Sequence, residues 1–271
     1  MGTGSRYALE VEEERYLEAR YIWVREQLGD DADDASDEWL ALEEEFQEEY
    51  DNKREAAERD FEDKMNRQQY IQNICEHFQI PALVHFTQLA NLEGILTNGL
   101  LSRERVEGIA EINDELRLDG RRNYISTSIS FPNCKMFYRY RQQKGGLWCV
   151  LLIRKEVLWE LDCLFCKFNA ADHRISAQDA NFLANPEQLS GMYDEIPEFG
   201  TRIENKLKVF DPTDVQAEVL VRELISNNYI MGIVFPDRPS LNRYAPLCQG
   251  KQLFEHSRNK GFFATRSYNR R

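Results

Sequence analysis

The sequence predicts an α+β domain preceded by a long acidic helical hairpin, and three observations carry that prediction. The first 70 residues hold 23 acidic and 9 basic side chains, with apolar residues recurring at helical spacing. Residues 71–271 hold 24 acidic and 25 basic side chains, so almost all of the net charge of −13 belongs to the appended segment. At Ile80-Pro81 the composition changes to short β-rich runs separated by turns and a few helices, which indicates α+β rather than a doubly wound sheet. The expected division is 1–78 for the helical extension and 79–271 for the domain.

Residues 6–28 predict a helix, with Leu17, Tyr21, Val24 and Leu28 on one stripe. The run Gly29-Asp30-Asp31-Ala32-Asp33-Asp34 breaks it, and Ser36 can cap a second helix carrying Trp39, Leu42, Phe46 and Tyr50 on one face. Helical signal continues through Phe61 and Met65 towards Cys75. This hairpin reads as a solvated acidic face over an apolar stripe, as a docking surface, or as an acidic segment occupying a basic groove. Beyond it, Leu83 to Thr87 predicts a strand, and Asn91 to Asn98 a helix closed by Gly99. Tyr124 to Phe131, Leu147 to Arg154, Ala217 to Val221 and Ile230 to Phe235 predict further strands. Residues 172–215 read as a long loop with a helical piece, and a loop of that length is usually functional.

Several classes are excluded. The longest apolar run, Leu147 to Ile153, is far short of the roughly 20 residues a spanning helix needs, so no membrane segment is expected. Met1 to Ser5 lack the order of a secretory signal. Cys163 and Cys166 form a lone C-x-x-C, and His173, the nearest further ligand type, has no partner. Six reduced thiols in a cytoplasmic protein, with no metal, are therefore expected. No G-x-G-x-x-G or Walker-type loop is present, so a dinucleotide would not be held in a Rossmann manner.

Three polar features fall in order on strand candidates: His85-x-Thr87, Ser126-Thr127-Ser128 and Gln216-x-Glu218. Each alone is ordinary. With their flanks they are more specific. Val84-His85-Phe86-Thr87, then Asn91 to Leu96 and Gly99-Leu100, then Asn123 to Ile129, Phe131 to Met136, Phe168 to Ala171 and Gln216 to Val221 resemble the DarT-type ADP-ribosyltransferases in order and spacing. The resemblance covers residues 80–237 and leaves out the hairpin. These are toxins of toxin–antitoxin and phage-defence systems that attach ADP-ribose from NAD to bases of single-stranded DNA.

The resemblance implies an ADP-ribosyltransferase-like split β-sheet. It implies that His85 and Thr87 contact the adenosine-side ribose and the nicotinamide amide of NAD. Ser126 and Ser128 would support the nicotinamide pocket, Glu218 would be the catalytic carboxylate, and Gln216 would sit at a substrate-recognition position. Asn133 stands where many relatives carry Arg, so the NAD contact made there would be absent, weaker, or supplied by Lys135 or Arg139. Phe131 or Tyr138 would stack on nicotinamide, or simply pack. An antitoxin partner, often a macrodomain hydrolase, is also implied.

Physical chemistry supports the role of Glu218. Breaking the nicotinamide–ribose bond builds positive charge on the ribose, and a fixed carboxylate stabilises that charge more than the ground state. It can also accept the acceptor's proton. Arg121, Arg122, Arg139, Arg141 and Lys144 lie among Tyr124, Phe137, Tyr138 and Tyr140, a mixture suited to single-stranded nucleic acid or to a solvated strand–helix connection. The resemblance puts DNA first among acceptors, with mRNA and protein side chains as the alternatives.

Overall fold

The computed structural model describes residues 3–29, 34, 36–106, 120–256 and 260–270, and the acidic break at residues 30–33 lies outside them. The chain divides into two compact units, Met1–Asn66 and Arg67–Arg271. The first consists of α1 (Thr3–Leu28) and most of α2 (Asp37–His77). Ser36 Oγ accepts the Trp39 N–H at 3.1 Å, the cap expected there. Val24 and Trp39 are buried, but Leu17 is largely exposed. Part of the expected stripe packs, with Val24 buried and the Tyr21 ring 5.4 Å from Trp39, and Tyr16 and Trp23 bring their rings within 5.8 and 5.6 Å of Phe46. The closing turns of α2 belong to the second unit, where Ile71, Ile74 and Cys75 join the core, so the division falls inside this helix.

In the second unit the strands are β1 (Leu83–Gln88), β2 (Leu100–Leu101), β3 (Tyr124–Ile129), β4 (Trp148–Ile153), β5 (Cys163–Cys166), β6 (Glu218–Arg222), β7 (Leu224–Ile225), β8 (Ile230–Phe235) and β9 (Gln252–Glu255). Seven form one sheet in the order β5-β6-β3-β1-β4-β8-β9, and β2 pairs with β7. All pairs are antiparallel except β8 with β9. The helices are α3 (Leu92–Asn98), α4 (Arg103–Val106), α5 (Cys134–Lys144), α6 (Val157–Glu160), α7 (His173–Ser176), α8 (Ala180–Ala184), α9 (Pro186–Gly191), α10 (Arg238–Tyr244) and α11 (Arg266–Asn269).

One irregularity in this sheet positions the site. β1 pairs with β4 along its whole length, from Leu83↔Ile153 to Gln88↔Trp148. With β3 it pairs only at Leu83↔Ile129 and Val84↔Ser128. Past those two positions β3 follows β6 instead, from Thr127↔Val219 to Tyr124↔Arg222. The sheet therefore splits between β1 and β3, beginning at His85.

The core follows strand alternation. Leu83, Leu151, Val219 and Val221 face the largest cluster, which α2 and α6 cover. Val84, Val150 and Trp148 face the other side, where Phe137 of α5 and Phe263 pack. Leu164, Cys166 and Leu220 face a third cluster with Ile175 and Leu183. Cys163 and Cys166 thus point to opposite sides of β5, and burial pushes the Cys163 thiol up to about 12. In the first part of the stretch expected as a long loop with a helical piece, three short helices stand, α7 to α9, packed on β5. Asp172, Asp179 and Asn185 cap them, each side chain accepting the N–H two residues on. Between Gly191 and Glu218 the chain is loop apart from a 3-10 turn at Pro197–Phe199. Gly99 ends α3 at φ +84°, and a Cβ there would lie 2.7 Å from the Ile225 carbonyl oxygen. Among the described residues no helix is long and apolar enough to cross a membrane.

Candidate active site

The opening of the split is a cleft of about 570 Å³, lined from β1, β3, the start of β6, α3, α4, α5 and the turn after β5. That volume is in the range of small-molecule and cofactor sites. His85 is half-buried where β1 and β3 part. Its Nδ1 lies 2.8 Å from the Ser126 carbonyl oxygen, so that nitrogen carries a proton and donates it across the gap. A side chain thus replaces the backbone ladder that the split removes. Burial holds the His85 pKa below the ordinary histidine value, against the opposing pull of the Ser126 carbonyl. Burial thus favours the neutral ring, in which Nε2 is an acceptor.

Glu218 opens β6 opposite Cys166 of β5, and continuing the β3–β6 register by one residue sets it beside Ser128. Its side chain lines the cleft although the residue is only 4% exposed. Ala170 N–H donates to Oε2 at 2.9 Å and Asn169 Nδ2 to Oε1 at 3.1 Å. The Asn169 amide is oriented in turn, because its Oδ1 accepts the Ala171 N–H. Two donors that do not change with solvent therefore fix both carboxylate oxygens.

Ser126 and Ser128 line the cleft. Thr127 between them serves the fold: its hydroxyl donates to the Val219 carbonyl at 2.8 Å. Thr127→Val is expected to cost about 1 kcal/mol in urea unfolding, one neutral hydrogen bond, and to leave turnover within about twofold. Thr87 is buried on the lining and accepts from Asn91 Nδ2. Asn133 is buried on the lining, where its Oδ1 caps α5 through the Met136 N–H while Nδ2 stays without a partner.

Of the remaining sequence candidates, Tyr124 and Tyr140 line the cleft and the others do not. Tyr138 is 59% exposed, because α5 turns Met136 and Tyr140 inward and residues 138 and 139 outward. Arg139 lies over the Tyr140 ring on the exposed face. Arg141 packs on Phe137 and Phe263 and donates to the Phe263 carbonyl, a role in holding the fold. Phe131 is buried against Phe262, and Lys135 is exposed. Gln216 sits on the loop before β6, its N–H donated to Asp214.

Sequence reasoning missed Asn169 as the group that orients Glu218, although it lay inside a recognised block. It also missed Arg103, the one Lys or Arg on the cleft lining among the described residues.

A protein-family model described as "ssDNA thymidine ADP-ribosyltransferase, DarT" matches residues 84–260. Among solved structures, Thermus sp. 2.9 DarT in complex with ADP-ribosylated ssDNA is similar at 16% identity, covering 66% of this chain and 95% of that one, with a TM-score of 0.48. The same protein in complex with NAD+ matches at 14% identity, covering 64% and 94%, with a TM-score of 0.41. Thermosipho africanus DarTG in complex with ADP-ribose matches at 16% identity over 67% of this chain, with a TM-score of 0.46, and the match spans only 50% of that protein. No curated protein sequence matches the chain.

Proposed function

The chain belongs to the DarT family of ssDNA thymidine ADP-ribosyltransferases, and we propose that it transfers ADP-ribose from NAD to thymidine in single-stranded DNA, with Glu218 as the catalytic carboxylate. The observation that carries this reading is the Glu218 carboxylate, buried on the lining of the split and held at both oxygens. NAD supplies the glycosidic bond that breaks. Glu218 faces the positive charge that develops on the ribose and accepts the acceptor's proton. Neutral His85 offers Nε2 to a ribose hydroxyl, and Ser126, Ser128 and Thr87 supply hydroxyls around the nicotinamide side. Asn133, on the cleft lining, stands where many relatives carry Arg, and Arg103, also on the lining, would meet the dinucleotide phosphates. Gln216 would meet the acceptor base. The aromatic wall is Tyr140 or Tyr124 rather than Tyr138.

The natural setting of this activity is the cytoplasm, as a toxin neutralised by a partner antitoxin. Purified protein with labelled NAD and parallel pools of single-stranded DNA, RNA and extract protein tests the reading. Label is expected in thymidine-containing DNA and absent from DNA lacking thymidine. Label confined to RNA or to protein would transfer the assignment to one of those acceptors.

A further inference from the structure

Beyond residue 260, where the family match stops, the chain returns to the loop ahead of Glu218. Phe263 is buried against Phe137 of α5, the helix that lends Asn133 and Tyr140 to the cleft. From that anchor Arg266, at the start of α11, and Arg270, just past its end, reach the loop. Arg270 grips Asp211 with Nε on Oδ2 and a terminal nitrogen on Oδ1, both at 2.7 Å. Arg266 donates to the Pro212 and Thr213 carbonyls at 2.6 and 2.9 Å. Arg202, from within the loop region, adds donors to the Asp211 carbonyl and to Thr213 Oγ1.

Asp211 is fully buried and is the hub. Burial works against its ionisation, yet Arg270 and the Lys208 N–H hold its carboxyl below the usual range. It also accepts from Ser130 Oγ, at the end of the strand that carries Ser126 and Ser128. Glu218 itself is fixed by Asn169 and Ala170 and touches none of these arginines in the bonds described. The outer side of the loop exposes Ile203 and Val209 next to Lys206 and Lys208, apolar and cationic groups suited to bases and phosphates.

We propose that the segment Gly261–Arg270 is a positioning element for the acceptor, holding the Lys208–Gln216 loop in its working geometry through Asp211. The proposal rests on the roles given above to Glu218 and Gln216. Because the grip acts on the loop and not on Glu218, it sets transfer to DNA and leaves cleavage of NAD by water.

Arg270→Gln and Asp211→Asn test this in the full chain, with labelled NAD and a thymidine-containing single-stranded oligonucleotide. Transfer to the oligonucleotide is expected to fall about tenfold to a hundredfold, the scale of a misplaced reactant, while nicotinamide release without DNA stays within about twofold. Arg270→Lys, which keeps the charge without the fork, recovers part of the loss. Hydrogen exchange is expected to rise over residues 206–216 and to stay unchanged in β6. Parallel loss of both rates, no loss of either, or exchange rising through the whole sheet would overturn the inference. A wild-type protein that labels no DNA overturns the acceptor assignment and this inference with it; active wild type beside unaltered variants overturns the inference alone.

Discussion

Glu218→Gln is expected to lower ADP-ribose transfer by about 10²- to 10³-fold, the effect of removing one preorganised electrostatic group from a transition state. Glutamine keeps the length and volume of the side chain, so the start of β6 and its pairing with Cys166 survive. What changes is charge. One carboxylate oxygen becomes an NH₂ that must face either the Ala170 N–H or the Asn169 amide, both donors. That mismatch costs about 1–3 kcal/mol of stability, as does Glu218→Ala, which leaves both donors without their acceptor. Glutamine is therefore the cleaner variant, since it separates charge from cavity formation. Initial rates with labelled NAD and a thymidine oligonucleotide, alongside thermal unfolding, measure the two effects separately. A folded Glu218→Gln enzyme within about threefold of wild type would remove the carboxylate from the mechanism.

Ser126, Ser128 and Glu218 were singled out by their resemblance to a family pattern, and strand alternation sets which way they point. Ser126 and Ser128 share a face because they are two residues apart, and Glu218 shares one with Leu220. Helix phase was harder. Residues 134–144 carry aromatics or cations at most positions, and only the cap at Asn133 fixes which of them turn inward. Once that cap is known, positions 133, 136 and 140 fall together by helical spacing, and Tyr138 and Arg139 fall outside. Asn169 needed more still: it meets Glu218 across 49 residues of chain, through the β5–β6 pairing. β5 itself is four residues, Cys163–Cys166, buried on both faces and so without alternation. By contrast, the three helices between residues 173 and 191 had a legible signal in their caps, Asp172, Asp179 and Asn185-Pro186. The split was not readable from composition or periodicity; it lies in pairing partners that β1 and β3 choose beyond Val84 and Ser128.

His85 links that split to pH. His85→Ala removes the donor that spans β1 and β3 and leaves the Ser126 carbonyl without it. A lost partner of this kind costs about 1–3 kcal/mol, and the loss of Nε2 as an acceptor is expected to raise the KM for NAD about tenfold. The wild-type contribution also varies with acidity. Because burial lowers the His85 pKa in the folded chain, the unfolded chain binds the proton more readily. Stability from the neutral ring is complete above the unfolded value of about 6.5 and is lost as pH falls through the folded value. His256 is likewise lowered by burial, so wild-type stability alone would mix the two rings. The difference between wild type and His85→Ala isolates one. Urea unfolding of both proteins from pH 7.5 to 5 is expected to show that difference shrinking on the acid side, with NAD turnover of the wild type declining over the same window. A difference that instead grows as pH falls would mean that the fold favours the charged ring. Nε2 would then be a donor, and a contact with ribose hydroxyls through an accepting nitrogen would have to be abandoned.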